Sequence, residues 1–212
     1  MTSLKIKLTL KSAATFGRGD GVAGLVDREI EHDQYGFPFL RGKALKGLLA
    51  ESAENVVFAL EHLQGKSGWG SAKKSLFGEG GRGLDERGIL HMGDAQLPGA
   101  LRAEVRKANW SKEDVLFSLT SIRRQTSINE YGAPDHATLR SMRVLLPGVT
   151  LEASVSFERA PSPTELQLLA AAVLDFRHAG TGRNRGRGWL SAELDDEKTT
   201  EALFQSFGEA LK

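Results

Sequence analysis

The strongest constraint on the fold is a strict two-residue alternation over residues 149–157. Apolar residues occupy the odd positions of this stretch, and the even positions are Thr150, Glu152, Ser154 and Ser156. Such a period predicts a strand with one buried face and one solvated face. The next motif, Ser162-Pro163-Thr164-Glu165, combines an N-cap, a first-turn proline and a capping-box glutamate. It therefore predicts a helix that starts at residue 163 and reaches about residue 177.

The rest of the chain extends this strand and helix into an α+β plan. Period-two alternation over 4–10 and over 190–194, and the apolar run 89–92, predict three more strands. Apolar residues at helical spacing predict a helix over about 43–64 and a short amphipathic helix at the C-terminus. We interpret 65–88 as a loop and 108–147 as an excursion from the core. The order predicts a ferredoxin-like βαββαβ sheet, as in RNA-recognition-motif domains, with an insertion and a C-terminal helix.

Composition limits the classes of function. The 212 residues contain 28 Lys and Arg against 27 Asp and Glu, a net charge of +1, so any basic surface must be local. The absence of cysteine excludes disulfides, thiolate zinc sites and cysteine nucleophiles. The chain shows neither the order of a signal peptide nor an apolar run long enough to span a membrane, so we expect a cytoplasmic protein without a membrane partner.

A glycine-rich segment over 180–188 carries Arg183, Arg185 and Arg187. It follows a helix and precedes a strand, which is the reverse of a dinucleotide-binding loop. Glycines let backbone amides approach a phosphate closely, and guanidinium groups add bidentate hydrogen bonds. The segment therefore predicts a phosphate-binding loop, with a flexible soluble turn as the alternative.

The start of the predicted first helix reads Gly42-Lys43-Ala44-Leu45-Lys46-Gly47. Lysines in a first helical turn oppose the helix dipole, whereas a bound phosphate would reverse the sign of that interaction. The spacing of glycines does not match a P-loop. We expect an anion site here, with solvated surface lysines as the alternative.

The loop before this helix holds the densest acidic group outside the C-terminal region: Asp20, Asp27, Glu29, Glu31, His32 and Asp33. Carboxylates and an imidazole near cationic segments suit a divalent metal or proton transfer on RNA. The same residues equally suit a soluble loop, and their spacing alone does not decide between the two.

Four segments in this order resemble the RAMP superfamily, and within it the backbone subunits of type III CRISPR effector complexes. They are 24–33, the motif 37–47, Leu76-Phe77-Gly78 leading to 88–94, and the loop 180–188. The chain departs from the family pattern at Arg41, Lys43 and Ala44, where a proline and small hydroxyl residues are usual. The resemblance implies a single domain over 1–212 in which 108–147 forms a thumb.

The resemblance also implies that the partners are guide RNA, target RNA, other effector subunits and copies of the chain itself. Asp27 matches a catalytic aspartate for metal-dependent cleavage of target RNA, with Asp33 as a second acid; Mg²⁺ or Mn²⁺ is the expected metal. The expected RNA contacts are Arg41, Lys43, Lys46, Arg123, Arg124, Arg183, Arg185 and Arg187.

Three other interpretations stay open at this point. The chain is a structural RNA-binding subunit that does not cut, a guide-processing endonuclease of the same superfamily, or an unrelated ferredoxin-like ligand-binding domain. The lack of a histidine before residue 32 argues against the processing endonuclease.

Overall fold

An antiparallel sheet forms the centre of the computed structural model, which describes residues 4–79, 87–135, 138–195 and 197–211. The strands are β1 Leu4–Leu10, β2 Phe39–Leu40, β3 Leu90–Met92, β4 Ala95–Gln96, β5 Thr120–Gln125, β6 Arg140–Leu145, β7 Thr150–Phe157 and β8 Leu190–Leu194. The helices are α1 Gly42–Phe58, α2 Trp69–Phe77, α3 Gly99–Lys107, α4 Lys112–Leu119, α5 Pro163–Asp175 and α6 Glu197–Ala210. A π-helical turn, Ala59–Leu63, continues α1, and a 3₁₀ turn, Arg183–Arg185, precedes β8.

The sheet order confirms the α+β class. The strands run in the order β2-β4-β7-β1-β8, with β3 also paired to β7, and the pairings are antiparallel. The strands predicted over 4–10, 89–92, 149–157 and 190–194 thus occupy the order that a ferredoxin-like plan requires.

The core lies on the helix-bearing face of the sheet. Ile6, Leu8 and Leu10 of β1 are buried, as are Leu151 and Val155 of β7. They pack in one apolar cluster with residues of α1, α2 and α5. The two-residue period in each strand produces this face, because alternate side chains point to opposite sides of a strand.

The opposite face of the sheet is polar and partly neutralised by cross-strand ion pairs. Lys5 Nζ lies 3.9 Å from Glu152 of β7, and Lys7 Nζ lies 3.6 Å from Glu193 of β8. These side chains retain about a third or more of their exposure, so each pair is worth under about 1 kcal/mol. No aromatic side chain of β1, β7 or β8 joins them on this face, since Phe157 is buried on the other side.

The capping motif before α5 forms as the sequence predicts. Ser162 Oγ accepts the Glu165 amide at 3.3 Å, and the Glu165 carboxylate accepts the Ser162 amide at 2.7 Å. Glu165 also receives Arg159 Nη2 at 2.6 Å and Ser75 Oγ at 2.6 Å, which attaches α5 to α2. These donors lower the pKa of Glu165 to about 2, with the Arg159 guanidinium as the largest cause.

The interpretation of 65–88 as a loop is wrong for its first half, which contains α2. Trp69, Ala72 and Leu76 follow a helical period and are buried. The signal was hidden because glycines flank the helix at both ends, and no side chain caps it. Residues 80–86 of this segment lie outside the described residues.

The segment 108–147 contains α4 and a two-stranded sheet of its own, β5 paired with β6. Most side chains of β5 are exposed, as expected for an excursion from the core. Val115, Leu116 and Leu145, however, belong to the central apolar cluster. The base of the β5–β6 hairpin is therefore anchored in the core, while its far part extends away from it.

Candidate nucleic-acid interface

An open groove of about 420 Å³ separates the start of α1 from the glycine-rich loop 180–188. Arg41, Ala44 and Gly47 line it from the helix side, and Thr181 and Arg183 line it from the loop. Two segments that the sequence analysis selected independently therefore form one surface. We call it the loop–helix groove.

The loop is held by close backbone contacts that only glycine permits. Gly180 and Gly188 have φ of +89° and +65°, in the left-handed region. A β-carbon at Gly188 would lie 1.8 Å from the Ala179 carbonyl oxygen, and one at Gly180 would lie 2.6 Å from the Thr15 oxygen. The Thr181 amide donates to the same Thr15 oxygen at 2.8 Å. The loop is thus attached to the chain that follows β1 rather than free.

Both arginines of the loop–helix groove are paired with carboxylates. Arg41 Nε donates to Glu31 at 2.7 Å, and this contact raises the pKa of Arg41. Arg183 Nη2 contacts both oxygens of Glu51, at 2.8 and 3.0 Å. Since both pairs are at least partly exposed, an RNA phosphate has to compete with a carboxylate for each guanidinium.

The two lysines predicted at the start of α1 differ in their surroundings. Lys43 is exposed. Lys46 is half-buried and its Nζ donates to the Leu90 carbonyl of β3 at 2.7 Å, while burial lowers its pKa. In this structure Lys46 therefore connects α1 to the sheet, and Lys43 is the exposed one of the two.

A second cationic group lies where the loop meets the β5–β6 hairpin. Arg187 is only 8% exposed, and its Nη1 donates to the Met142 sulfur at 2.7 Å. Its pKa is lowered, first by burial and then by the charges of Arg123 and Arg185. We call these three residues the arginine cluster.

The arginine cluster is electrostatically unfavourable without an anion. A thioether is a weak acceptor, and a buried charge is costly without an opposite charge. No carboxylate in the described part of the chain forms an ion pair with Arg187. A phosphate group supplies the missing charge and accepts bidentate hydrogen bonds from guanidinium.

Asp27 lies in a separate open cavity of about 300 Å³, together with Arg124 and Ser141. Its Oδ2 accepts the Ser141 amide at 2.6 Å and the Ser141 hydroxyl at 3.0 Å. These bonds are the largest causes of a lowered pKa, with a smaller contribution from the Arg140 charge. Asp27 is therefore an exposed, ionised carboxylate attached to β6.

Asp33 lies in a turn outside the cavities that contain Asp27 or the groove arginines. Its Oδ1 accepts the backbone amides of Tyr35 at 2.9 Å and Phe37 at 3.0 Å. Within the described ranges, no three His, Asp or Glu side chains form a group suited to a metal ion. Asp27 and Asp33 do not line the same cavity.

Sequence reasoning did not predict the link between the acidic loop and the hairpin. Glu29 is 1% exposed and accepts Arg143 Nε at 2.8 Å. Arg143 Nη1 also donates to Thr120 at 3.1 Å, and its carbonyl accepts from Thr15. Glu29 was noted only as part of an acidic group, because nothing local to it identifies Arg143 as its partner.

A comparison with models of known protein families finds a match over most of the chain. The sequence model of the RAMP superfamily matches residues 7–191. The chain therefore belongs to the RAMP superfamily.

Two solved structures share the fold at low sequence identity. One is a chain of the type III-B Cmr-beta bound to cognate target RNA, with a TM-score of 0.67 and 11% identity, covering 96% of this chain and 99% of that one. The other is a chain of the type III-B Cmr-beta in the apo state, with a TM-score of 0.66 and 10% identity, covering 92% and 98%. No curated protein matches the sequence. Among the described residues, no helix is long and apolar enough to cross a membrane.

Proposed function

We propose that this chain is a guide-RNA-binding backbone subunit of a type III CRISPR effector complex. Membership of the RAMP superfamily and the shared fold with chains of type III-B Cmr-beta structures support this role. Its partners are then guide RNA, target RNA, other effector subunits and copies of itself, and residues 108–147 act as the thumb.

The arginine cluster is the observation that carries the proposal. Arg187 is buried beside two other guanidinium groups and has a sulfur atom as its hydrogen-bond acceptor. A phosphate of the RNA backbone relieves this repulsion. Lys43 adds an exposed charge at the start of α1, where exposed Gly47 leaves room for an RNA strand to approach. The two groove arginines bind that strand only in competition with Glu31 and Glu51.

Binding of single-stranded RNA to the full chain tests this role. Arg187→Met should weaken binding by a similar factor for every RNA sequence and reduce the slope of log affinity against log salt by about one. Lys198→Met removes an exposed charge on α6 and serves as the matched control. Wild-type binding that does not respond to salt, or an Arg187→Met variant with unchanged affinity and slope, would contradict the proposal.

We propose, as a second function, metal-dependent cleavage of the target RNA at Asp27. The supporting observation is an exposed carboxylate with a lowered pKa in a cavity shared with Arg124. Such a carboxylate is a weak proton acceptor at neutral pH and is better suited to holding a cation. Arg124 is placed to stabilise negative charge on a phosphate in the same cavity.

Asp27 suits Mg²⁺ or Mn²⁺ better than Asp33 does. Mg²⁺ is commonly held by one or two carboxylates together with substrate phosphates. Each carboxylate has one oxygen occupied by two hydrogen bonds, but Asp27 lines a cavity that also contains Arg124, whereas Asp33 lies in a turn outside that cavity. A divalent ion at Asp27 would stabilise charge on the phosphate during attack by the adjacent 2′-hydroxyl.

The cleavage proposal requires the reconstituted effector complex with guide-complementary RNA and added Mg²⁺ or Mn²⁺. Asp27→Asn should reduce the cleavage rate by at least about 100-fold, because the amide cannot hold the cation, while assembly and target binding persist. Asp175→Asn, at the exposed end of α5, is the control. Undiminished cutting by Asp27→Asn in an intact complex would leave the chain as a structural RNA-binding subunit.

A further inference from the structure

A small aromatic cavity lies apart from the loop–helix groove and from Asp27. It measures about 180 Å³ and lies between the turn 33–37 and the connection from α3 to α4. Its lining includes Tyr35, Phe37, Arg106, Asn109 and Trp110. We call it the aromatic cavity.

The turn that carries its first two rings is fixed by the protein itself. The Asp33 carboxylate accepts the amides of Tyr35 and Phe37. Gly36 has a φ of +85°, and a β-carbon there would lie 2.6 Å from the Lys112 carbonyl oxygen of α4. The turn is therefore packed closely against α4, which fixes the backbone that carries the two rings before any ligand arrives.

The charge of Arg106 is not neutralised by a carboxylate. Its guanidinium carbon lies 4.6 Å from the centre of the Tyr35 ring and 5.8 Å from that of Phe37. Glu104 in the same helix contacts Lys107 instead, at 2.6 Å. Within the described residues Arg106 forms no ion pair, so the rim of the cavity is cationic.

Two rings remain available on the surface. The exposed fraction of Tyr35 is 44% and that of Trp110 is 54%, although both line the cavity. Asn109, also in the lining, has a φ of +52°, which places its exposed amide side chain in the sharp turn before α4.

These features favour a nucleic-acid base over an aliphatic protein segment. Single-stranded RNA is recognised by flat rings that stack on bases and by guanidinium groups that attract the adjacent phosphates. An aliphatic segment would cover the unpaired Arg106 charge without supplying an anion.

We propose that the aromatic cavity holds one unpaired base of a single-stranded RNA segment, stacked on Trp110 and Tyr35, with its phosphate near Arg106. The inference rests on the proposed RNA binding but assigns a site that is separate from the arginine cluster. Asp33 is then a positioning residue for the rings.

The test compares an oligoadenylate with an oligonucleotide of the same length that carries abasic riboses, using the full chain. Both RNAs offer the same phosphates, but only the first offers bases. The oligoadenylate should bind about 5- to 100-fold more tightly. It should also quench the tryptophan emission of the wild type more than that of Trp110→Phe, in which only Trp69 and Trp189 emit. Trp110→Ala should lose most of this preference while keeping its affinity for the abasic strand.

Two variants keep the result interpretable. Trp110→Phe should retain the preference for bases and lose the quenching, which separates stacking from structural damage. Phe117→Ala removes another aromatic side chain, 86% exposed on α4 and outside the cavity, and should change neither.

Each contrary outcome has a distinct meaning. Equal affinities for the two RNAs with unchanged Trp110 emission would overturn the base site while leaving the RNA-binding proposal intact. Failure of the wild-type chain to bind either RNA would overturn both proposals. A third outcome is that the wild type shows no preference between the two RNAs but self-associates, and that Trp110→Ala abolishes this self-association. The cavity would then bind a second copy of the chain.

Discussion

Two charged groups buried at opposite sides of the molecule have very different partners. Glu165, at the start of α5, accepts hydrogen bonds from Arg159, Ser75 and Ser162. Arg187, in the glycine-rich loop, is buried beside two other arginines and donates to a sulfur. The first charge is satisfied by the protein and stabilises the fold. The second is a buried charge that forms no ion pair within the described residues, and its burial near like charges costs stability.

The largest effect should come from breaking the satisfied pair that joins the acidic loop to the hairpin. Arg143→Met leaves Glu29 buried without its cation and should lower the free energy of unfolding by about 3–5 kcal/mol. Arg140→Met, an exposed change on the same strand, should stay within about 0.5 kcal/mol. Urea denaturation measures both. Similar midpoints for the two variants would show that the pair does not stabilise the fold.

Acid should reveal the contribution of Glu165. Its folded-state pKa of about 2 lies below its usual value near 4.5, so its stabilisation is present above pH 4.5 and is lost as the pH falls towards 2. Glu165→Gln should cost about 2–3 kcal/mol at pH 7 and progressively less below pH 4.5.

Urea denaturation of the Glu165→Gln variant and the wild type between pH 7 and 2 measures this convergence. Glu201→Gln on α6 is the control, because Glu201 is exposed. Gln167 on α5 is buried and therefore does not provide one. A constant difference across the pH range would mean that the Glu165 charge is not what stabilises the wild type.

Arg187→Met, unlike Glu165→Gln, should not lower the free energy of unfolding. Removing a buried, repelled charge should leave the free energy of unfolding unchanged or raise it by up to about 1 kcal/mol. Inorganic phosphate should raise the melting temperature of the wild type more than that of the variant, since a ligand stabilises only the state that binds it. Thermal unfolding with and without phosphate measures this. A variant that is clearly less stable would place Arg187 among the structural charges.

The smallest effect should come from Asp33→Asn. The amide oxygen can still accept the two turn amides, so stability should change by less than about 0.5 kcal/mol, whereas Asp33→Ala should cost about 1 kcal/mol. Thermal unfolding of the two variants separates them. If Asp33→Asn abolished metal-dependent cleavage while the chain stayed folded, Asp33 would have to be a metal ligand.

The elements that sequence predicted well have local causes. The strand over 149–157 follows from its two-residue period, and α5 follows from a capping box whose two reciprocal hydrogen bonds lie within residues 162–165. The turn at Asp33 also had a local signal, because aspartate three residues before glycine is typical of such turns. The family resemblance, by contrast, implies a metal-binding role for Asp33, which this local signal does not require.

The side-chain contacts that sequence missed depend on distant partners. The burial of Arg187 requires Met142 from the hairpin, 45 positions away in the chain. The orientation of the Lys46 side chain follows from its hydrogen bond to the Leu90 carbonyl oxygen, 44 positions away. Neither contact can be derived from a residue's own neighbours, so basic residues that look equivalent in the sequence have different roles in the fold.

The charge on the polar face of the sheet determines how strongly that face attracts a polyanion. Lys5 with Glu152, and Lys7 with Glu193, leave that face close to electrically neutral. A polyanion passing over it meets attraction and repulsion in similar measure. The sheet face that forms the binding platform of RNA-recognition motifs is thus nearly neutral here, and the arginine cluster lies outside it, in the loop 180–188 and on the β5–β6 hairpin.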